Sequence, residues 1–600
     1  MNSRYILEIM LLKSKKLSKN IENSVLLLKI IIISLAAIYL IGNFNPFYEG
    51  TDSFLYGNIA INFSNGVFSI SNELLEETGK SQFVGTNWLK TVHGDAVPRA
   101  GVGFAAIASI FYSIFGYYAL FYLGPITAVL LLVVSERIST KLFGKYCGLL
   151  TLMFVATNHL IFRNSLNLQT ESMFALLFLV GTYFFITFFK TKKNNRLLLA
   201  SCFFVFASFI KINGLAFLPV EIGIILLIFL IKYVSSRFKN NKIYNSSKLF
   251  SITPKKGIKI TSYILLPWIV FLVFWFSYYD YYFEETTINY RAITATANEL
   301  AYDSEIHRDA KLSSLYSFEE KTFENIKAFS KYLLPYQIPA VYNNEKYTYD
   351  EILGNNWIGI LSISGVIISL IWSRYTKNKQ IEFLVFSSLI GMTVWFFSSV
   401  TTWERALSGV PGRYMIGAFV LFVMMLSYLI IEFLKMNSDN KKISFQILLK
   451  SGKIFLILGL FVFFTIAFYN ANPIQAALDD KEFFKDPEKF TEKYPLDMEG
   501  LTKNSIIIAH DQEAVIEYGM IPFFILDNGK LTNNSVNLLK QIISKDNEIF
   551  IFKIPTTNDE KKTLQKLVNE YGFVLKDYSE TFCKVSLNQN NEKPDDICIK

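Results

Sequence analysis

The sequence predicts an all-α polytopic membrane protein of about eleven transmembrane helices with a small extracytoplasmic α/β domain at its C-terminal end. Three observations lead there: an apolar composition, a series of apolar stretches long enough to cross a bilayer, and a one-sided distribution of Lys and Arg between them. Of the 600 residues, 52% are hydrophobic and 16% aromatic, and the mean hydropathy is +0.32. Charged residues make up 18%, against about 25% in soluble domains. The formal charge of +9 does not point to nucleic acid, because the basic residues fall in short clusters between apolar stretches, as in cytoplasmic loops. The expected partner of so apolar a chain is the lipid bilayer.

A helix needs roughly 17–25 apolar residues to cross the hydrocarbon core. Stretches of that kind lie at 24–42, 117–135, 146–162, 171–189, 196–212, 214–231, 261–283, 356–373, 381–400, 414–434 and 452–470. The first, Val25–Ile41, lacks a small-residue cleavage site and is long enough to span, so no cleavable signal peptide is expected. Residues 101–116 are also apolar, but short and rich in Gly and Ala. Counting them as a span inverts every later loop, and charge decides against it. With 101–116 left out and the N-terminus inside, 28 Lys and Arg fall in six cytoplasmic segments: the N-terminus, Arg137–Lys145, Lys190–Arg196, Lys232–Lys259, Arg374–Lys379 and Lys435–Lys453. The opposite short turns hold only Arg163, Lys211, Arg405 and Arg413. That is the positive-inside pattern, and it makes 101–116 a helix at the outer interface.

The resulting organisation is a basic cytoplasmic N-terminus (1–23), a transmembrane domain (24–470) with large outer segments 43–116 and 284–355, and an extracytoplasmic domain (471–600). In this last part, short apolar runs (Ile506–Ala509, Phe523–Leu526, Ile549–Phe552, Phe573–Leu575) alternate with helix-like stretches (Asn534–Ser544, Asp559–Glu570), the rhythm of a small α/β domain. It shows no Gly-rich phosphate loop, metal-ligand spacing or nucleophile elbow, so a capping or acceptor-docking role is expected of it. Cys147 and Cys202 fall in spans, where packing is their expected role. Cys583 and Cys598 can pair if this domain is outside.

With sidedness assigned, unusual charges gather on the outer face. Asp52 follows the first span. His93, Asp95 and Arg99 precede the interfacial helix, Arg163 and Glu171 bracket the turn between the third and fourth spans, and Lys211 and Asn213 sit in the turn Ile210-Lys211-Ile212-Asn213-Gly214. Arg405 and Arg413 precede the tenth span. Acids and bases from five turns on one face suit an anionic headgroup together with a base. Each has a plainer reading. Glu171 beside Thr170 is what a helix N-terminus favours, Lys211 can snorkel, Arg413 can anchor its span to headgroups, and His93 can be a satisfied loop histidine. Trp268, Trp275, Tyr278, Tyr279, Tyr281 and Tyr282 read as packing and interface belt.

The run Asp52-Ser53-Phe54-Leu55-Tyr56-Gly57-Asn58-Ile59-Ala60, followed by Gly66, resembles the acidic first-loop motif of the multispan GT-C type glycosyltransferases, the protein O-mannosyltransferase and lipid A aminoarabinose transferase relatives. Pro98–Gly116 is similar to their loop helix, Thr170-Glu171 to the acid opening their fourth span, Lys211-Ile212-Asn213-Gly214 to their Lys-containing turn, and Arg413-Tyr414 to their late Arg-Tyr pair. The order and sidedness of these motifs carry the resemblance over about residues 24–470. Many members have Asp-Glu where this chain has Asp52-Ser53.

The resemblance implies a membrane glycosyltransferase that moves a sugar from a polyprenyl-phosphate donor to a hydroxyl of a protein or glycolipid acceptor, with inversion. Asp52 is then the general base, and Glu171 a second catalytic acid that positions the acceptor or orients neighbouring cations. Arg163, Lys211, Arg413 and Arg99 bind the donor phosphate, and Tyr56, His93, Asp95, Asn213 and Tyr414 contact substrate. No cofactor is required. A divalent metal, Mg or Mn, shared by Asp52 and Glu171 is the alternative, as in oligosaccharyltransferases. The rival from another class is a multispan flippase or transporter of lipid-linked sugars, which calls for charges at mid-membrane on broken helices and an internal repeat. A non-catalytic subunit that keeps the scaffold is the second rival.

Overall fold

A computed structural model describes residues 3–42, 50–69, 88–98 except Gly94, 102–211 except Asn167, parts of 214–226, then 254–283, 382–391, 416–436 and 443–470, and the strands and helical residues given below between 505 and 587. The chain divides into two compact units. One comprises Met1–Pro46, Phe121–Leu272 and Arg308–Ala476, the other Phe47–Leu120, Val273–His307 and Ala477–Lys600.

Helices α1 (Ser3–Gly42), α2 (Gly50–Ser64), α3 (Val102–Phe115), α4 (Tyr117–Phe143), α5 (Lys145–Ala156), α6 (His159–Ser165), α7 (Glu171–Thr191) and α8 (Asn194–Ile210) follow one another. After them come α9 (Phe217–Leu226), α10 (Pro254–Phe283), α11 (Glu382–Gly391), α12 (Ile416–Lys435) and α13 (Ile443–Asn470). Among the described residues five helices are long and apolar enough to cross a membrane: Asn23–Gly42, Tyr117–Phe143, Glu171–Thr191, Lys259–Phe283 and Ile416–Lys435. The expected span 356–373 lies outside the described residues.

Two expectations about spans meet particular residues. Residues 101–116 form a helix of their own: α3 has 14 residues, about 21 Å at 1.5 Å each, too short for the hydrocarbon core. It stops at Gly116, whose φ of 81° lies in the left-handed region that glycine tolerates, and α4 starts on the next residue. By contrast, the expected single span 146–162 is two helices. Thr157 N–H closes α5 on Met153 O at 3.1 Å, and Asn158 turns extended and accepts from Ile161 N–H at 3.1 Å as the N-cap of α6. An Asn at that point satisfies a helix start better than it continues a helix.

In the first unit α7 and α8 form a tight antiparallel hairpin, turned by Lys192 in the left-handed conformation. Buried Phe178 of α7, Phe204 of α8 and Phe217 of α9 pack together, with the Phe178 and Phe217 rings stacked. Polar contacts join several helix ends of this unit. Lys29 of α1 meets Glu136 of α4 at 2.5 Å, with Thr140 donating to the same carboxylate at 2.6 Å. Lys190 of α7 meets Glu382 of α11 at 2.6 Å. Ser139, Thr151 and Ser427 link α4, α5 and α12 by hydroxyl hydrogen bonds of 2.9 and 3.1 Å. Each contact joins ends that the charge pattern puts on one side.

In the second unit α2 packs on α3 through Tyr56 and Phe104, rings edge-to-face at 5.2 Å, with Ile59, Ala60, Ala105 and Ala108 buried and Ile110, Ile114 and Phe115 exposed. A short antiparallel hairpin pairs β1 (Trp88–Lys90) with β2 (Ala96–Pro98). The C-terminal part contains β3 (Ser505–Ala509), β4 (Phe523–Ile525), β5 (Glu548–Phe552), β6 (Phe573–Asp577) and β7 (Phe582–Leu587) in one five-stranded sheet of order β4-β3-β5-β7-β6. The first three are parallel and β7 is antiparallel to both neighbours. The four apolar runs read from the sequence become β3 to β6. Phe582–Leu587 is an additional strand, in which Cys583, Val585 and Leu587 alternate with Lys584 and Ser586 instead of forming a continuous apolar run. Ile549, Ile551, Phe573, Leu575, Cys583 and Val585 form one buried face against Val536, Leu539 and Leu567. Cys583 is disulfide-bonded, while Cys147 and Cys202 are free.

Candidate functional site

The α7–α8 hairpin explains why two of the expected site residues meet. Because the helices are antiparallel, the first turn of α7 lies beside the last turn of α8. Glu171 opens α7, where the helix dipole favours a carboxylate, and Lys211 caps α8, where it favours an ammonium. Their side chains form an ion pair of 2.7 Å, with side-chain exposures of 2% for Glu171 and 14% for Lys211. Thr170 stands between them: its hydroxyl donates to Glu171 Oε2 at 3.4 Å and accepts from Lys211 Nζ at 3.5 Å. The chain then folds back. Gly214 N–H donates to Lys211 O at 2.9 Å, and a Cβ on Gly214 would lie 2.7 Å from Ser208 Cα and 2.8 Å from its backbone N. Only glycine allows the turn to pass that close and so set where Lys211 sits.

The start of α7 is tied to α6 as well. Ser165, the last residue of α6, and Ser172 share a hydrogen bond of 2.6 Å between buried hydroxyls. Arg163 is two residues earlier on α6, so its backbone is held near the Glu171 turn, although its side chain lies outside the described residues, as does Asn213.

In the second unit Asp52 is the third residue of α2, one helical turn before buried Tyr56, and its side chain is likewise outside the described residues. His93 and Asp95 belong to the turn between β1 and β2. Thr91 O–H donates to Asp95 Oδ1, and Thr91 N–H to Asp95 O at 2.7 Å. His93 Nε2 lies 2.8 Å from Tyr281 O, near the C-terminal end of α10. Arg99, Arg405, Arg413 and Tyr414 lie outside the described residues.

The expectation that the unusual charges lie at one face is corrected by three buried groups. Glu136 and Glu382 are engaged at the opposite ends. Glu221, which sequence reasoning missed, is 1% exposed inside the predicted span 214–231. Its Oε2 accepts from Trp268 Nε1–H at 2.8 Å and its Oε1 from Ser201 O–H at 3.0 Å. A lone Glu in an apolar run was the available signal. Trp268, expected to pack, is fully buried and also supplies this donor. Among the described residues, no three His, Cys, Asp or Glu side chains are grouped to hold a metal ion.

No family model matches the chain, and no curated protein matches it. Its structure is similar to solved structures at low identity. The archaeal oligosaccharyltransferase AglB from Archaeoglobus fulgidus, in complex with an inhibitory peptide and a dolichol-phosphate, is 11% identical with a TM-score of 0.48, over 96% of this chain and 75% of that one. ArnT from Cupriavidus metallidurans, bound to undecaprenyl phosphate, is 12% identical with a TM-score of 0.48, over 93% and 97%. The Archaeoglobus fulgidus oligosaccharyltransferase in complex with Zn and sulfate is 11% identical with a TM-score of 0.46, over 93% and 72%.

Proposed function

We propose that the chain is a membrane glycosyltransferase that moves a sugar from a polyprenyl-phosphate donor to an acceptor hydroxyl of a protein or glycolipid on the extracytoplasmic face, with inversion. The observation that carries the reading is the buried Lys211–Glu171 pair at the end of the α7–α8 hairpin, on the side that the loop charges assign to the exterior. An ammonium held there by a carboxylate and a threonine hydroxyl is pre-oriented for a phosphate at the membrane lip. The pair itself is electrically neutral, so net positive charge for the leaving phosphate comes from Arg163 on the adjoining α6, with Arg413 and Arg99 completing the set. Glu171 orients Lys211 rather than acting as a second base. Asp52 takes the acceptor proton as the sugar–phosphate bond breaks and the polyprenyl phosphate departs. Tyr56, Asn213 and Tyr414 line the substrate. The base and the cations are side chains, so the reading requires no metal. Disulfide-bonded Cys583 supports an extracytoplasmic C-terminal α/β domain, since disulfides persist in oxidising compartments.

The test is release of polyprenyl phosphate by the purified full-length protein given a panel of polyprenyl-phosphate monosaccharides. Asp52→Asn is expected to abolish release with normal expression and donor binding. Full activity in that variant removes Asp52 as base.

A flippase reading is favoured by one observation, the carboxyl of Glu221 within a predicted span. Its hydrogen-bond partners Trp268 and Ser201 are both uncharged donors, which is how a structural carboxyl is held. Loss of lipid-linked sugar movement in Glu221→Gln, with no sugar transfer by the parent protein, would decide for transport.

A further inference from the structure

The turn between β1 and β2 reaches across 188 positions of sequence to the end of α10. Two hydrogen bonds are made there. Val92 N–H donates to Tyr282 O at 2.9 Å, and His93 Nε2 lies 2.8 Å from Tyr281 O. The acceptors are main-chain carbonyls in the last described turn of α10, which is described to Phe283, and the described helix offers them no intrahelical N–H. The His93 ring also lies on the Tyr281 ring, with centroids 4.8 Å apart. The turn is stiff in its own right: Thr91 O–H donates to Asp95, Thr91 N–H closes on Asp95 O at 2.7 Å, and His93 N–H donates to Thr91 Oγ1 at 3.1 Å. A carbonyl accepts only, so the nitrogen facing Tyr281 carries a proton and His93 serves as donor.

We propose that His93 is a positioning residue for sugar transfer: it fastens the outer segment that carries Asp52 to the outer end of α10. The inference rests on the transferase reading for its consequence, but the tether itself stands on the contacts. The mechanical path is short. β2 ends at Pro98 and α3 begins at Val102. α3 holds α2 through Phe104 and Tyr56, and Asp52 is one helical turn from Tyr56 on α2. Freeing the β1–β2 turn from α10 therefore releases the pair of helices that carries the base. A misplacement of about 1 Å at a reacting group costs on the order of a hundredfold in rate. His93 thus acts through Asp52 and not by touching substrate; of the cations proposed for the donor phosphate, Arg163, Lys211 and Arg413 belong to other segments, and Arg99 directly follows β2.

The experiment uses the full-length protein in nanodiscs, with His93→Ala and His93→Gln, the second keeping an N–H donor of similar reach. Hydrogen exchange of the 88–98 segment is expected to rise at least fivefold in His93→Ala and to return toward the parent rate in His93→Gln. Turnover with a polyprenyl-phosphate monosaccharide is expected to fall about tenfold or more in His93→Ala, with binding of polyprenyl phosphate unchanged, and to recover in the glutamine variant. Unchanged exchange in His93→Ala overturns the tether. Faster exchange with unchanged turnover overturns the positioning role, and loss of polyprenyl-phosphate binding makes His93 a ligand contact instead. A parent protein that releases no polyprenyl phosphate defeats the transferase reading and the positioning role with it, while the exchange result still decides the tether.

Discussion

Glu171 and Glu221 are two carboxyls buried to nearly the same degree, 2% and 1% exposed, yet they are held in opposite ways. Glu171 faces an ammonium at 2.7 Å at the mouth of the α7–α8 hairpin. Glu221 faces an indole N–H and a serine hydroxyl among three helices, α8, α9 and α10. A buried carboxyl that faces a cation is costly to remove, because the pair was desolvated together. A carboxyl given only neutral donors can be replaced by a neutral group of the same shape. The difference separates a buried ion pair from a buried carboxyl that joins helices through neutral hydrogen bonds.

Substitutions sharpen or break this contrast. The largest effect is expected from Lys211→Met, which removes the ammonium that faces Glu171. Loss of a buried partner costs about 3–5 kcal/mol, read as a fall in the thermal unfolding midpoint of detergent-solubilised protein. The double variant with Glu171→Gln should regain much of that loss. Additive single effects would show that the two residues do not act as a pair. Next is Trp268→Phe, which removes the donor to Glu221 Oε2 and should cost about 1–3 kcal/mol for the unsatisfied oxygen, with donor binding unaffected. The smallest is Glu221→Gln, expected within about 1 kcal/mol of the parent, because an amide oxygen still accepts from Trp268 and Ser201 can reverse its hydroxyl. If Glu221→Gln proves as damaging as Lys211→Met, the distinction between the two carboxyls is wrong and Glu221 belongs to a working site.

Much of the architecture was legible because it depends on short windows. α7 starts at Glu171, where the span was expected to start, and the apolar runs from Ile506 onward became strands of one sheet. What failed did so for equally local reasons. The 146–162 span breaks because Asn158 caps a new helix, a choice that hydropathy does not register. Phe582–Leu587 was overlooked because Lys584 and Ser586 interrupt its apolar residues, so it lacks the continuous apolar run that marked the other strands. Of the site, Glu171 and Lys211 were each legible as charges at the ends of neighbouring spans, but their pairing was not, since it depends on the two helices folding back on each other. His93 was read as a substrate contact or a satisfied loop histidine; its partner, the Tyr281 carbonyl, is a backbone atom with no signature in sequence.

The amino-acid sequence by itself determined which stretches are apolar enough to cross a bilayer, which side the basic loops favour, and that several acids and bases stand at the ends of spans. Each follows from about twenty consecutive residues and their flanking charges. Only the tertiary structure decided who meets whom: Lys211 with Glu171 across 40 positions, Trp268 with Glu221 across 47, Lys29 with Glu136 across 107. Those meetings depend on how each helix is rotated about its axis and which neighbour it packs on. Hydropathy is averaged over every face of a helix, so it carries no record of that rotation.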